Sequence, residues 1–168
     1  GSEMCIRDRF KPGDHVLISQ NVYGGVFRLV TKVLNDNGVN FDFIDTTNLK
    51  IIKDSIRDNT KLIHLETPSN PLLEIADISS VSKLCKPKNI LVSVDNTFMS
   101  PCGQKPLNLG ADIVMHSTTK YIGGHSDILS GALMVNDKSS AEKITLIQNT
   151  AGALSLIHIS EPTRPALI

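Results

Sequence analysis

The sequence carries no net charge, with 17 Lys and Arg against 17 Asp and Glu among 168 residues. Without a charge excess or a basic run, binding to a polyanion such as a nucleic acid has no electrostatic support. Long apolar runs are missing too: none approaches the roughly 20 residues that a membrane-crossing helix needs. The opening GSEMCIRDRF lacks the apolar stretch of a secretory leader, so no signal peptide is visible. Cysteine is scarce. Cys5, Cys85 and Cys102 are odd in number and no CxxC spacing occurs, so neither a disulfide framework nor a zinc site is indicated. Free thiols in a reducing compartment, hence a cytoplasmic location, are the expectation. Internal repeats and low-complexity stretches are also absent.

What is present is the mixture of a soluble globular protein: 40% apolar and 20% charged residues, in a chain long enough for one domain with a real core. Short β-rich runs alternate with helical patterns. His15–Ile18, Val39–Ile44, Lys61–Leu65, Ile90–Val94, Asp112–Met115 and Gly131–Val135 read as strands. Between them, Phe27, Val30, Lys32, Val33 and Leu34 suggest an amphipathic helix that stops around Asn37-Gly38. Leu49, Ile52 and Ile56 recur at helical spacing. Asp77 is placed to cap a helix carrying Ile78, Val81, Leu84 and Cys85 on one face, ended by Pro87, and Ser139–Gln148 reads as a last helix. Such alternation predicts an α/β fold with a mostly parallel sheet flanked by helices, whose ligands sit beyond the C-terminal strand ends.

The two ends do not continue this pattern. Residues 1–9 and 154–168, with the strings MCIRDR and LSLIHISEPTRP, read as translated sequencing-adapter sequence joined to a patterned segment over residues 10–153. On that expectation Cys5 and His158 carry no functional weight.

Chemistry concentrates between Val94 and Gly131. Asp95 ends an apolar strand, which puts its carboxylate at the mouth of the sheet. Lys120 ends Ser117-Thr118-Thr119-Lys120 just after the next strand, followed by Gly123-Gly124 and His125-Ser126-Asp127. A positioned lysine amine can form a Schiff base with an aldehyde cofactor, and the pyridine nitrogen of such a cofactor needs an anion beside it. The Ser117 and Thr119 hydroxyls could bind phosphate oxygens. Taken singly, each residue is ordinary: Asp95 also fits a turn or cap, and a Ser/Thr cluster also fits a plain loop.

The strings VYGG at Val22, ETPSNP at Glu66, VDNTFMSP at Val94, QKPLNLGADIV at Gln104, HSTTKYIGGHSD at His116 and QNTAGA at Gln148 change that balance. Together, and in this order, they resemble the Cys/Met-metabolism PLP-dependent enzyme family, over roughly Lys11 to Ala153. The family includes cystathionine γ-lyase, γ-synthase and β-lyase and methionine γ-lyase. The resemblance implies part of an aspartate-aminotransferase-like large domain that binds pyridoxal 5'-phosphate (PLP), in an enzyme acting on cystathionine or a related small sulfur amino acid. It implies that Lys120 holds the cofactor and later moves protons, that Asp95 pairs with the pyridine nitrogen, and that Ser117 and Thr119 bind the phosphate. Tyr23 would stack on the ring and assist proton transfer, Asn70 would lie near the 3′-oxygen, Thr97 would pack near the ring, and Glu66 would organise the pocket from behind. NTFMSP and QNTAGA look closest to γ-lyase or γ-synthase. A homotetramer is implied, with no role for nucleic acid, membrane or metal.

The resemblance has gaps. The family's phosphate loop, the upstream Tyr/Arg pair that reaches a neighbouring subunit, and the domain with the arginine that grips the substrate carboxylate do not occur in these 168 residues. The segment alone is therefore expected to be inactive. Cys102-Gly103 stands where the family often has a bulkier pair. Two other readings compete: an inactive fragment or degenerate homologue serving only as a binding or structural protein, and a serine hydrolase built on the S-x-x-K spacing of Ser117 and Lys120. The second also needs S-D-N and K-T-G motifs, and no K-T-G occurs.

Overall fold

The computed structural model describes residues 10–34 and 38–151. Asn37, Cys5, His158, both adapter-like ends and the Gly152-Ala153 end of QNTAGA lie outside them. Six strands form one sheet: β1 (His15–Ser19), β2 (Asn40–Ile44), β3 (Thr60–Glu66), β4 (Leu91–Asp95), β5 (Ile113–His116) and β6 (Ala132–Val135). Their spatial order is β2-β1-β3-β4-β5-β6. All pairings among β1 to β5 are parallel, and only β6 runs antiparallel at its edge. The mostly parallel α/β sheet expected from the strand–helix alternation is what forms.

Parallel strands need crossovers, and helices supply them. These are α1 (Gly24–Leu29), α2 (Leu49–Ser55), α3 (Ile78–Cys85) and the short α4 (Ser100–Gly103); α5 (Lys138–Ala151) follows β6. The compact apolar runs are buried on both faces because helices cover both. Leu17, Ile63, Leu65, Val92 and Val94 pack with Ile52 of α2 and with Ile78, Val81 and Cys85 of α3. Their strand neighbours Val16, Ile18 and Leu62 point the other way, against Val26 and the segment holding Val30 and Leu34. Period-two alternation thus splits one sheet between two cores. Truncating a side chain such as Ile63, which is fully buried, to alanine would cost about 2–5 kcal/mol.

Local signals explain where elements start and stop. The Asp77 carboxylate accepts the backbone N–H of Ser80 at 3.0 Å and caps α3 as expected. Pro87 falls in the single 3-10 turn Lys86–Lys88 that ends it. The helix expected around Phe27 to Leu34 is shorter than its apolar spacing suggests. Regular α-helix ends at Leu29, and Val30–Leu34 continue as a wider π turn. Phe27 stays half-exposed, with its ring 5.2 Å from that of Phe43. No helix among the described residues is long and apolar enough to cross a membrane.

Candidate active site

The parallel register brings two carboxylates together. Glu66 ends β3 and Asp95 ends β4, and the two are direct cross-strand partners, with Met115 of β5 beside Asp95. The loops after these three strands hold most of the residues singled out in the sequence. A fourth loop, between β1 and α1, brings Tyr23 to the same edge.

Glu66 is buried and joins two of them. Its Oε2 accepts the backbone N–H of Tyr23 at 2.6 Å, and its Oε1 accepts that of Asn70 at 3.1 Å. Tyr23 is 56% exposed, so its ring stands at the surface of the site rather than in the core. A Cβ on Gly25 would lie 2.3 Å from the Tyr23 Cε1, so the ring could not keep this position beside a larger residue. The glycine of the YGG string is thus explained by close approach of the ring.

Asp95 joins two more. Its Oδ1 accepts the backbone N–H of Thr97 at 2.9 Å, and the Thr97 hydroxyl in turn accepts the backbone N–H of Ser117 at 2.8 Å. The turn reading of Asp95 is therefore also true, but it uses only one oxygen. Among the described residues nothing donates to Oδ2, although Asp95 is only 8% exposed. A carboxylate oxygen left open at a strand end suits a cationic N–H partner.

Ser117 leads into the turn that carries Lys120. The Lys120 N–H bonds to Ser117 O at 3.1 Å, Gly123 N–H to Thr118 O at 2.7 Å and Gly124 N–H to Lys120 O at 2.8 Å. The Lys120 side chain is exposed, and no partner among the described residues engages its amine. Thr119 is turned aside: its hydroxyl donates to Ser130 O at 3.1 Å and accepts from Ser130 N at 2.9 Å. Its single proton is thereby occupied, and only a lone pair remains. The Thr118 hydroxyl is buried without a partner.

Electrostatics concentrate on Asp95. Burial pushes the Glu66 carboxyl above its usual range; the N–H donors of Tyr23 and Asn70 oppose that shift, and the Asp95 charge adds to it. Burial holds His64 and His116 below the ordinary imidazole value, with the Asp95 charge opposing in both cases. Both imidazoles are therefore neutral at pH 7, and neither is a cationic partner for Asp95.

Sequence reasoning missed four residues of this region. Asn96 is completely buried, Gln104 reaches it from beyond α4, and His64 and His116 lie buried under the strand ends. The His64 Nδ1 is 2.8 Å from Ser93 Oγ, while its Nε2 has no partner. Asn96, Gln104 and His116 stand in the strings VDNTFMSP, QKPLNLGADIV and HSTTKYIGGHSD, but nothing within those strings signals their burial or their partners.

A family model described as Cys/Met metabolism PLP-dependent enzyme matches residues 1–158. The chain belongs to this family. A probable cystathionine γ-synthase of Herpetosiphon aurantiacus is 46% identical over 154 residues, which cover 92% of this chain and 48% of that relative. A cystathionine β-lyase of Lactococcus lactis subsp. cremoris is 48% identical over 145 residues, covering 86% of this chain and 38% of that protein. Among solved structures, cystathionine γ-lyase from Lactobacillus plantarum complexed with L-serine superposes with a TM-score of 0.89 at 43% identity. That match covers 92% of this chain and 41% of the other. The chain thus spans about half the length, or less, of the relatives it matches. The cofactor of the family is PLP, and the Asp95 carboxylate at the end of β4 and the exposed Lys120 amine, which has no partner among the described residues, fit that group.

Proposed function

We propose that the whole protein is a PLP-dependent enzyme that breaks or exchanges a carbon–sulfur bond in a small sulfur amino acid such as cystathionine, by elimination or γ-replacement. Residues 10–153 act as part of its cofactor-binding large domain. The observation that carries this reading is the chain of contacts from the Asp95 carboxylate through Thr97 to Ser117, three residues before Lys120. Among the family reactions, NTFMSP and QNTAGA favour γ-lyase or γ-synthase chemistry. A cytoplasmic homotetramer is the assembly proposed.

In this reading Lys120 holds the cofactor through its side-chain nitrogen and, once released, takes and returns the proton at the substrate α-carbon. That role needs an amine able to lose its own proton near working pH. When bound, PLP supplies an electron sink for the charge left on that carbon. Asp95 would be the anionic partner of the pyridine nitrogen. Tyr23 stacks its ring over the site and assists proton transfer. Asn70 would lie by the 3′-oxygen and Thr97 by the ring, while Glu66 fixes Tyr23 and Asn70 by their backbones. Ser117 would donate to the phosphate, and Thr119 could do so only by giving up its bond to Ser130 O.

Borohydride reduction of the full-length protein with PLP, followed by peptide mass analysis, tests this reading. A stable adduct on Lys120 supports it. A folded full-length protein that yields no adduct there overturns it, and would return weight to a purely structural or binding role.

A further inference from the structure

Asn96 and Gln104 form a reciprocal amide pair that the cofactor chemistry does not use. The Asn96 Nδ2 donates to Ser100 O at 3.1 Å and to Gln104 O at 2.9 Å. The Gln104 Nε2 donates to Asn96 Oδ1 at 2.9 Å and to Thr67 O at 2.9 Å. Both protons of each amide are thus engaged, so the 3.4 Å approach of Asn96 Nδ2 to His116 Nε2 is a packing contact. The network also fixes the amide orientations, since flipping Asn96 would turn its oxygen toward two carbonyls.

The pair lies where three loops meet. Thr67 follows Glu66, which holds Tyr23 and Asn70. Asn96 stands between Asp95 and Thr97, and its own N–H bonds to Met115 O at 2.9 Å, on the strand that leads to Ser117 and Lys120. Thr67 is pinned from the other side as well, where its hydroxyl accepts Ala76 N–H at 2.9 Å.

We propose that Gln104 is a positioning residue: its side-chain amide locks the Asp95–Thr97 segment to the loop after Glu66, and so sets the two halves of the site relative to each other. The assignment rests on the functional reading above for the meaning of "site", but the clasp itself is independent of any cofactor. A buried donor–acceptor network of this kind, fully satisfied, rigidifies the elements it joins. Removing Gln104 Nε2 leaves Asn96 Oδ1 and Thr67 O without their shared donor while leaving every strand pairing intact.

The test is Q104M in the full-length protein, since methionine keeps the length and loses both donors. Amide hydrogen exchange is followed in the cofactor-free protein at Thr97, Ser117 and Asn70, with Leu17 and Ile18 of β1 as controls. The expected result is exchange faster by about tenfold or more at the three site amides, with the controls unchanged. PLP affinity, titrated separately, falls by about tenfold or more, and so does that of pyridoxamine phosphate, which lacks the aldehyde that Lys120 captures. Unchanged exchange at Thr97, Ser117 and Asn70 overturns the proposal, as does equal acceleration at the controls. Should Q104M not fold, Q104N retains an amide one methylene too short to span both acceptors, and the same exchange pattern decides. A wild-type protein that binds neither phosphate would sink the functional reading alone, while the exchange data would still decide for or against the clasp.

Discussion

Glu66 Oε2 lies 2.6 Å from the backbone nitrogen of Tyr23, so a buried carboxylate at the end of β3 holds a residue 43 positions away in sequence. The same carboxylate holds Asn70 with its other oxygen. Two loops are joined through one side chain, without either loop contributing a side chain of its own to the bond. Burial and the neighbouring Asp95 charge both push against ionisation of Glu66. The arrangement therefore accepts an electrostatic penalty for two charge-assisted bonds.

Glu66→Gln should expose that balance. A glutamine offers one acceptor oxygen, so one of the two N–H groups would face an NH2 group instead. Losing a buried charge-assisted bond costs about 1.5–3 kcal/mol, part of which is offset by relief of the buried charge. The net expectation is destabilisation of about 1 kcal/mol, measured by urea denaturation of the full-length protein. A variant as stable as the parent would mean that desolvation and repulsion from Asp95 outweigh the Tyr23 and Asn70 bonds.

Asp95→Asn separates the turn from the charge. The amide oxygen can still accept Thr97 N–H, so the loop should keep its shape and stability should change by less than about 1 kcal/mol. The charge is gone, however, and the NH2 group would point a donor at a cationic N–H. If the full-length protein has the proposed activity, its turnover of cystathionine should fall by about a hundredfold or more, the scale found when an oriented electrostatic partner is removed. A fall of only a few fold in kcat/KM would leave Asp95 as a turn residue and nothing more.

Stability should decline on the acid side of neutrality. Burial lowers the imidazoles of His64 and His116; burial likewise lowers His15, with Arg57 adding to it and Asp42 opposing. A group whose folded pKa is depressed favours the unfolded chain once protons bind there first. The stability it contributes is complete above the unfolded value of about 6.5 and is lost as pH falls toward the folded one. Glu66 works in the opposite sense: its raised folded pKa means that protonation at low pH restores stability. Three losses against one gain predict a denaturation midpoint that drops as pH falls below about 6.5. His64→Gln, which retains a partner for Ser93, should flatten that slope. An unaltered slope would assign the acid sensitivity to the other two imidazoles.

How much of this was legible in the sequence follows from the range of each interaction. The strands could be read because both-face burial leaves near-continuous apolar runs, as in Leu91–Val94, broken only by Ser93. The α3 cap could be read because Asp77 and Ser80 are three residues apart. Asp95, Ser117 and Lys120 stood out because residue strings carry them. The Gln104–Thr67 bond spans 37 positions and ends on a backbone carbonyl, so no side chain at its far end could signal it. The π turn over Val30–Leu34 was hidden for another reason: its apolar spacing also fits the regular helix expected there. Thr119 was chosen for its hydroxyl, and only the fold reveals that Ser130 already occupies the proton.

Gly25→Ala offers the sharpest separation of site from fold. Gly25 sits inside α1 at an ordinary helical backbone angle, so alanine should by itself favour the helix by up to about 1 kcal/mol. The added Cβ, though, would lie 2.3 Å from the Tyr23 Cε1 and 2.9 Å from its Cδ1, closer than such atoms approach. The ring is the part that can give way, because Tyr23 is more than half exposed while its backbone is held by Glu66. Stability should therefore hold or rise while the ring swings off the site. If Tyr23 stacks on the cofactor, G25A should lower turnover of cystathionine toward the level of Tyr23→Ala, with a thermal midpoint at or above that of the parent. Full activity in G25A would show that the ring position seen here is not the one catalysis uses. A lowered midpoint would instead mean that α1, rather than Tyr23, had absorbed the clash.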